Sequence, residues 1–192
     1  MTVRVIARTE WGALSPNHNA VDERGWFDAR WNVGGWLVYA EPLDTVLRTI
    51  VVHHSALGAA FGVAEIQRLH LEQRGLADIA YHFVVAADGQ VYEGRELGVR
   101  GAHVRAANTG SVGVMLAGNF EECAPPDVQW QALDALVGWL RGEYPGITHL
   151  AGHADFNDET VCPGRHVRPR LAGLAMRHGL EPGTGGYVRP RW

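Results

Sequence analysis

Residues 48–56, RTIVVHHSA, join four consecutive β-branched residues to a pair of histidines. A short β-branched run without charges is typical of a buried strand, so we predict a strand over Thr49–Val52 that ends at the histidine pair. Successive side chains of a strand point to opposite faces, so His53 and His54 cannot both face one site. A histidine pair after a strand is by itself more often a polar edge than a metal site.

The segments that follow alternate between helix and strand patterns. Residues 79–95, IAYHFVVAADGQVYEGR, predict a β-hairpin because Asp88-Gly89 tolerates the positive φ angles of a tight turn. Residues 110–120, GSVGVMLAGNF, predict another strand with Val112, Val114 and Leu116 on one face.

Helical spacing occurs in three segments. Residues 63–75 predict a helix that ends at Gly75, and a last helix is expected over 166–177. The clearest helix begins at Pro126-Asp127 and ends at Pro145-Gly146. Its expected apolar stripe consists of Val128, Leu133, Leu136, Val137 and Leu140. The interleaved pattern predicts an α/β layered fold: a central mixed β-sheet flanked by α-helices, and not purely parallel because of the hairpin.

The chain of 192 residues suits a single domain. Residues 1–47 contain four of the seven tryptophans (Trp11, Trp26, Trp31 and Trp36) and show no sustained period, so we predict an irregular N-terminal segment. Residues 48–177 would form the core. Residues 178–192 contain a tail rich in Gly, Pro and Arg, for which we predict an extended or flexible conformation.

Composition excludes several classes of partner. The formal net charge is −4 and the pI is near 6.2, so no broad basic field is available for nucleic acid or an anionic membrane. The sequence contains no run of 18 apolar residues, so we predict no membrane-spanning helix. The first residues, MTVRVIARTEWGAL, lack the apolar run of a signal peptide, so we expect synthesis in the cytosol. We also expect a monomer.

The second cysteine stands in residues 153–162, HADFNDETVC, which begin with a histidine. Two histidines and one cysteine form a ligand set that suits catalytic zinc, which uses three protein ligands and leaves one position for water. His53 or His54, together with His153 and Cys162, could form this ligand set. A Cys/His nucleophilic pair remains an alternative. A hydrolase based on Ser55 is less favoured because no G-x-S-x-G motif is present.

Five ordered blocks resemble the family of peptidoglycan recognition proteins and type 2 N-acetylmuramoyl-L-alanine amidases, which includes amidase-type phage lysozymes. The blocks are ARTEWGA (7–13), VVHHSA (51–56), DIAYHFVVAADGQVYEGR (78–95), GAHVRAANTGSVGVMLAGNF (101–120) and GHADFNDETVCPG (152–164). They span most of residues 7–164.

The resemblance implies a role for seven side chains. The Zn²⁺ ligands would be His53, His153 and Cys162. Tyr81 would be the catalytic tyrosine, and Thr160 would support the transition state. His103 and Asn108 match groove residues that contact the substrate. Arg105 stands where the family has a small or polar residue, and its charge could meet a carboxylate of the stem peptide. The chain departs from the family in Ala80, where glycine is usual, and in a loop from His153 to Cys162 that is one residue longer.

The implied activity is hydrolysis of the amide between the lactyl group of N-acetylmuramic acid and L-alanine in peptidoglycan. We expect a bacteriolytic enzyme such as a phage or prophage endolysin, which stays in the cytosol until a holin-like partner opens the membrane. Two alternatives stay open. One is a non-catalytic module that binds muropeptides, and the other is an amidase of the same fold that acts on another amide.

Overall fold

The computed structural model describes residues 3–20, 36–58 and 61–187, and a seven-stranded mixed sheet forms its centre. The strands are β1 (Val5–Ile6), β2 (Thr49–His54), β3 (Phe83–Val85), β4 (Val91–Glu93), β5 (Ser111–Leu116), β6 (His149–Gly152) and β7 (Glu181–Pro182). Their order across the sheet is β1-β4-β3-β5-β2-β6-β7. Neighbouring strands are parallel except β3 and β4, which form the predicted hairpin.

Helices cover both faces of this sheet. They are α1 (Arg8–Trp11), α2 (Leu43–Val46), α3 (Val63–Arg68), α4 (Asp127–Glu143) and α5 (Leu171–Arg177). A π-helical turn, Leu69–Gln73, continues α3, and 3-10 turns lie at His153–Asp155 and Arg168–Arg170. The predicted α/β layered fold is confirmed. The expected last helix begins later than residue 166, because Pro169 cannot donate a backbone hydrogen bond and disfavours helical geometry in the residue before it.

The main core lies between α4 and one face of the sheet. As predicted, Val112, Val114 and Leu116 share this face and are fully buried. The buried side chains that α4 adds to the same cluster are Trp130, Leu133, Leu136, Val137 and Leu140. Val128 was expected in this stripe, but its side chain is 48% exposed. This part of the prediction is wrong because Val128 lies in the first turn of α4, beside the hairpin turn at Gly89.

Truncation of a side chain in this stripe should destabilise the protein strongly. We expect Leu136→Ala to lower the free energy of unfolding by about 2–5 kcal/mol, because the cavity adds to the lost burial. Val128→Ala on the same helix should change it by less than about 0.5 kcal/mol. Urea unfolding of both variants measures the difference, and equal losses would contradict the assignment of the core face.

The two terminal segments contain more structure than we predicted. Strand β1 pairs with β4, and the side chain of Trp11 donates a hydrogen bond to the carbonyl of Glu93 at 2.8 Å. The predicted irregular segment therefore includes a strand of the sheet, although Trp26 and Trp31 lie outside the described residues. Up to residue 187, the predicted flexible tail includes β7 and is packed on the fold. None of the helices in the described ranges has the length and apolar character of a membrane span.

Candidate metal centre

The candidate site lies at the edge of the sheet where β2 and β6 end. These strands are parallel neighbours, so the residues that follow them meet at the same edge. His53 is the fifth residue of β2, and His153 comes directly after β6. The loop that begins at His153 returns at Cys162, whose carbonyl accepts a hydrogen bond from the backbone N–H of Ala154 at 2.8 Å. Sheet pairing and loop closure thus bring three distant side chains together.

The ligand atoms of His53, His153 and Cys162 all lie within 4.8 Å of one another. The Nδ1 atom of His53 is 3.6 Å from the Sγ atom of Cys162. The ring centroids of His53 and His153 are 4.8 Å apart. His53 is fully buried and Cys162 is nearly so, whereas His153 is partly exposed. The cluster is therefore open to solvent on the side of His153.

This donor set fits zinc. Zn–N bonds of about 2.0–2.1 Å and Zn–S bonds of about 2.3 Å in a tetrahedron place the two ligand atoms about 3.6 Å apart. The His53 Nδ1 to Cys162 Sγ distance has this value. Two imidazoles and one thiol also leave a fourth tetrahedral position for another ligand.

Burial decides the charge states of the side chains in the cluster. Burial raises the pKa of the Cys162 thiol to about 12, although the backbone N–H of His54 donates to Sγ at 3.4 Å and partly offsets this. Burial lowers the pKa of His53 well below its usual value, and His103 and His153 lower it further. The imidazole is therefore neutral and offers a lone pair. A divalent cation would favour the thiolate that burial alone disfavours.

Two further predicted residues lie beside the cluster. The ring of Tyr81 is 5.0 Å from the ring of His53, centroid to centroid. Burial, and to a smaller extent the electrostatic effect of Cys162, raises the pKa of Tyr81 well above its usual value, so the phenol keeps its proton at neutral pH. The Oγ1 atom of Thr160 accepts a hydrogen bond from the backbone N–H of Cys162 at 3.2 Å. The hydroxyl hydrogen of Thr160 remains available for a second partner.

The other predicted residues separate into interior and surface positions. His103 is 5% exposed and Asn108 is fully buried. Arg105 is exposed and lines a cavity of about 300 Å³ together with Asp155, Phe156 and Tyr187. A substrate contact through any of these three predicted residues stays a prediction.

The second histidine of the pair points to the opposite face, as strand alternation requires. The Nδ1 atom of His54 accepts a hydrogen bond from the backbone N–H of Phe120 at 3.1 Å. Its ring centroid is 6.2 Å from that of Phe120. The side chain of His54 therefore connects β2 to the segment after β5, and only its backbone N–H contacts the cluster, at Cys162 Sγ.

Two other buried histidines should make folding stability depend on pH. Burial lowers the pKa of His70 to about 3 and that of His82 to about 4. Histidines of the unfolded chain titrate near about 6.5, so these groups contribute full stability above that pH and lose it as the pH falls toward 4. We expect His70→Gln to reduce the slope of unfolding free energy against pH between pH 6 and 4.5. The reduction should correspond to about one proton fewer taken up on unfolding. Urea unfolding with a chelator present measures this slope, and an unchanged slope would contradict a neutral His70.

Comparisons with known proteins agree on one family. The sequence profile described as N-acetylmuramoyl-L-alanine amidase matches residues 43–165. A peptidoglycan-recognition protein of Drosophila simulans is 33% identical over 133 residues, which cover 65% of this chain and 72% of the relative. The endolysin of Klebsiella phage KP32 is 40% identical over 111 residues, 54% of this chain and 73% of the relative.

A solved structure shares the fold over most of both chains. It is a mutant of the Drosophila recognition protein PGRP-LB in complex with tracheal cytotoxin, and it superimposes with a TM-score of 0.70. The two sequences are 26% identical, and the match covers 88% of this chain and 93% of the other.

Proposed function

Because the chain belongs to the N-acetylmuramoyl-L-alanine amidase family, we propose that it is a zinc-dependent enzyme that hydrolyses the amide between the lactyl group of N-acetylmuramic acid and L-alanine in peptidoglycan. The observation that carries this proposal is the convergence of His53, His153 and Cys162 within 4.8 Å. A set of two imidazoles and one thiolate suits a hydrolytic metal, because it leaves a position open for water.

The three side chains would hold Zn²⁺ through His53 Nδ1, a ring nitrogen of His153 and Cys162 Sγ. When bound, zinc lowers the pKa of water toward about 7 and polarises the scissile carbonyl. His53 is held rigidly because β2 is paired on both sides, with β5 and with β6. His153 begins a 3-10 turn and Cys162 lies on irregular backbone, and the hydrogen bond from the backbone N–H of Ala154 to the carbonyl of Cys162 connects the two.

Tyr81 would act as a hydrogen-bond donor to the oxyanion that forms when the carbonyl is attacked. The raised pKa supports this role because the phenol must carry its proton to donate. Donors that are already placed for the developing charge need little reorganisation, which is why they contribute strongly to catalysis. Thr160 would give a second donor while it accepts from the backbone of Cys162.

We propose a muropeptide or intact peptidoglycan as substrate and the bacterial cell wall as the place of action. The phage endolysin among the relatives and the tracheal cytotoxin bound to the Drosophila protein support this. In this proposal the protein is a phage or prophage endolysin, or another wall-lytic enzyme. It reaches the wall through a holin-like partner. Arg105 would meet a carboxylate of the stem peptide at the rim of the site.

A second candidate function is recognition of muropeptides without cleavage. The similarity to the peptidoglycan-recognition protein of Drosophila simulans favours it. The retained ligand set of His53, His153 and Cys162 favours hydrolysis instead, because binding alone does not require a buried thiol.

Digestion of purified wall sacculi distinguishes the two functions. The amidase should reduce turbidity and release new L-alanine amino termini, and mass spectrometry of defined muropeptides should find the lactyl–alanine bond broken. A chelator should stop the reaction and added zinc should restore it. Binding without product after long incubation with zinc would support recognition. Cleavage of a different bond would indicate an amidase with another substrate.

A further inference from the structure

The two ring nitrogens of His53 face different partners. Nδ1 lies 3.6 Å from Cys162 Sγ, whereas Nε2 lies 3.0 Å from Nδ1 of His103. The rings of His53 and His103 are nearly perpendicular, at 84°. One nitrogen of His53 thus belongs to the ligand cluster. The other is hydrogen-bonded to the imidazole of His103, which is 5% exposed.

The surrounding backbone leaves a defined space for the ring of His103. Gly101 and Gly113 both lie against it, and a Cβ atom at either position would be 2.5 Å from His103 Cδ2. Such a contact is far shorter than a carbon–carbon van der Waals separation of about 3.5–4.0 Å. The Oδ1 atom of Asn108 accepts hydrogen bonds from the backbone N–H groups of His103 and Val104, at 2.7 and 2.8 Å. These contacts fix both the ring and its backbone.

If His53 binds a cation, this role determines which histidine donates the hydrogen bond between the two rings. A nitrogen that binds a cation must offer its lone pair, so the proton of a neutral His53 must reside on Nε2. Nε2–H then donates to His103 Nδ1, and the proton of His103 resides on its own Nε2. That nitrogen lies 3.5 Å from the Oγ atom of Ser111.

We propose that His103 is a positioning residue for the metal centre: by accepting the hydrogen bond from His53 it holds His53 in the tautomer and orientation that direct Nδ1 toward Cys162 and His153. This inference rests on the proposed function, because it assigns the tautomer from zinc ligation. Imidazole ligands usually donate their other N–H to a carboxylate, a backbone carbonyl or water. A neutral imidazole provides the same acceptor here without burying a further negative charge.

Two substitutions of similar size separate positioning from packing. His103→Asn retains an acceptor oxygen near the position of Nδ1, whereas His103→Leu fills the space without an acceptor. Competition with a chromophoric chelator at pH 7.5 measures zinc affinity. We expect the leucine variant to bind zinc about 10- to 100-fold more weakly, and the asparagine variant to stay within about threefold of wild type.

Equal weakening of the two variants, or full zinc affinity in the leucine variant, would overturn this inference and leave the proposed function intact. A wild-type protein that binds no zinc would overturn the proposed function and this inference with it. A second measurement needs no variant: nitrogen-15 NMR of the zinc-loaded wild-type protein should show His53 protonated at Nε2 and ligated at Nδ1. The opposite tautomer would overturn the inference even if the leucine variant does not fold.

Discussion

Replacement of Cys162 by serine is expected to remove bound zinc and to lower kcat/KM on peptidoglycan by about 10³-fold or more. A serine hydroxyl does not ionise near neutral pH, so the three-residue ligand set would lose its anionic member. A catalytic metal supplies several kcal/mol of transition-state stabilisation, and about 1.4 kcal/mol corresponds to a factor of ten in rate. Elemental analysis of the purified variant and digestion of sacculi measure the two effects.

The second cysteine of the chain provides the matched control. Cys123 is exposed, whereas Cys162 is buried. Cys123→Ser makes the same chemical change away from the cluster, so zinc content and activity should equal those of the wild-type protein. Full activity of Cys162→Ser in the presence of a chelator would refute the metal mechanism. Activity lost equally in both variants would indicate an effect of cysteine chemistry that is unrelated to the site.

Replacement of Tyr81 by phenylalanine should lower kcat by about 10²- to 10³-fold while zinc content is unchanged. The change removes one hydroxyl and keeps the ring that packs 5.0 Å from His53. Loss of one donor to an oxyanion has an effect of this size in other hydrolases. If the donor acts only in the transition state, KM should change little and kcat should carry the loss.

Tyr92→Phe is the control for this experiment. Tyr92 is half-buried, and its hydroxyl donates to the side chain of Gln90 at 3.2 Å in an exposed hydrogen bond away from the cluster. Its removal should leave kcat within about twofold of wild type, since surface changes away from special features have small effects. A Tyr81→Phe enzyme with wild-type kcat would exclude Tyr81 as the oxyanion donor.

The central strands could be predicted because their signals are local. The β-branched run of β2 and the Asp88-Gly89 turn require no knowledge of distant residues. Strand β1 could not be predicted, because two residues carry no measurable period and its position depends on pairing with β4. Strand β7 has the same length and even contains Pro182, a residue that usually argues against a strand.

The ligand cluster could be predicted from the sequence, whereas the burial around it could not. Ligand chemistry indicated His153, Cys162 and either His53 or His54, and the resemblance of the ordered blocks selected His53. The burial of His103 results from the packing of Gly101 and Gly113 against its ring. The position of Gly101 two residues before His103 is by itself a weak signal for burial. The sequence does not show that the sheet brings Gly113 beside the same ring.

The hydrogen bond between the Tyr187 hydroxyl and the carbonyl of Ala106, at 2.6 Å, has a practical consequence for protein engineering. The ring of Tyr187 also meets Phe156, three residues beyond His153, edge to face at 6.0 Å. A fusion partner or affinity tag that replaces Tyr187 would remove a brace from the loop carrying a ligand. Fusion proteins built on this chain should therefore keep residues up to 187 and place the junction after them.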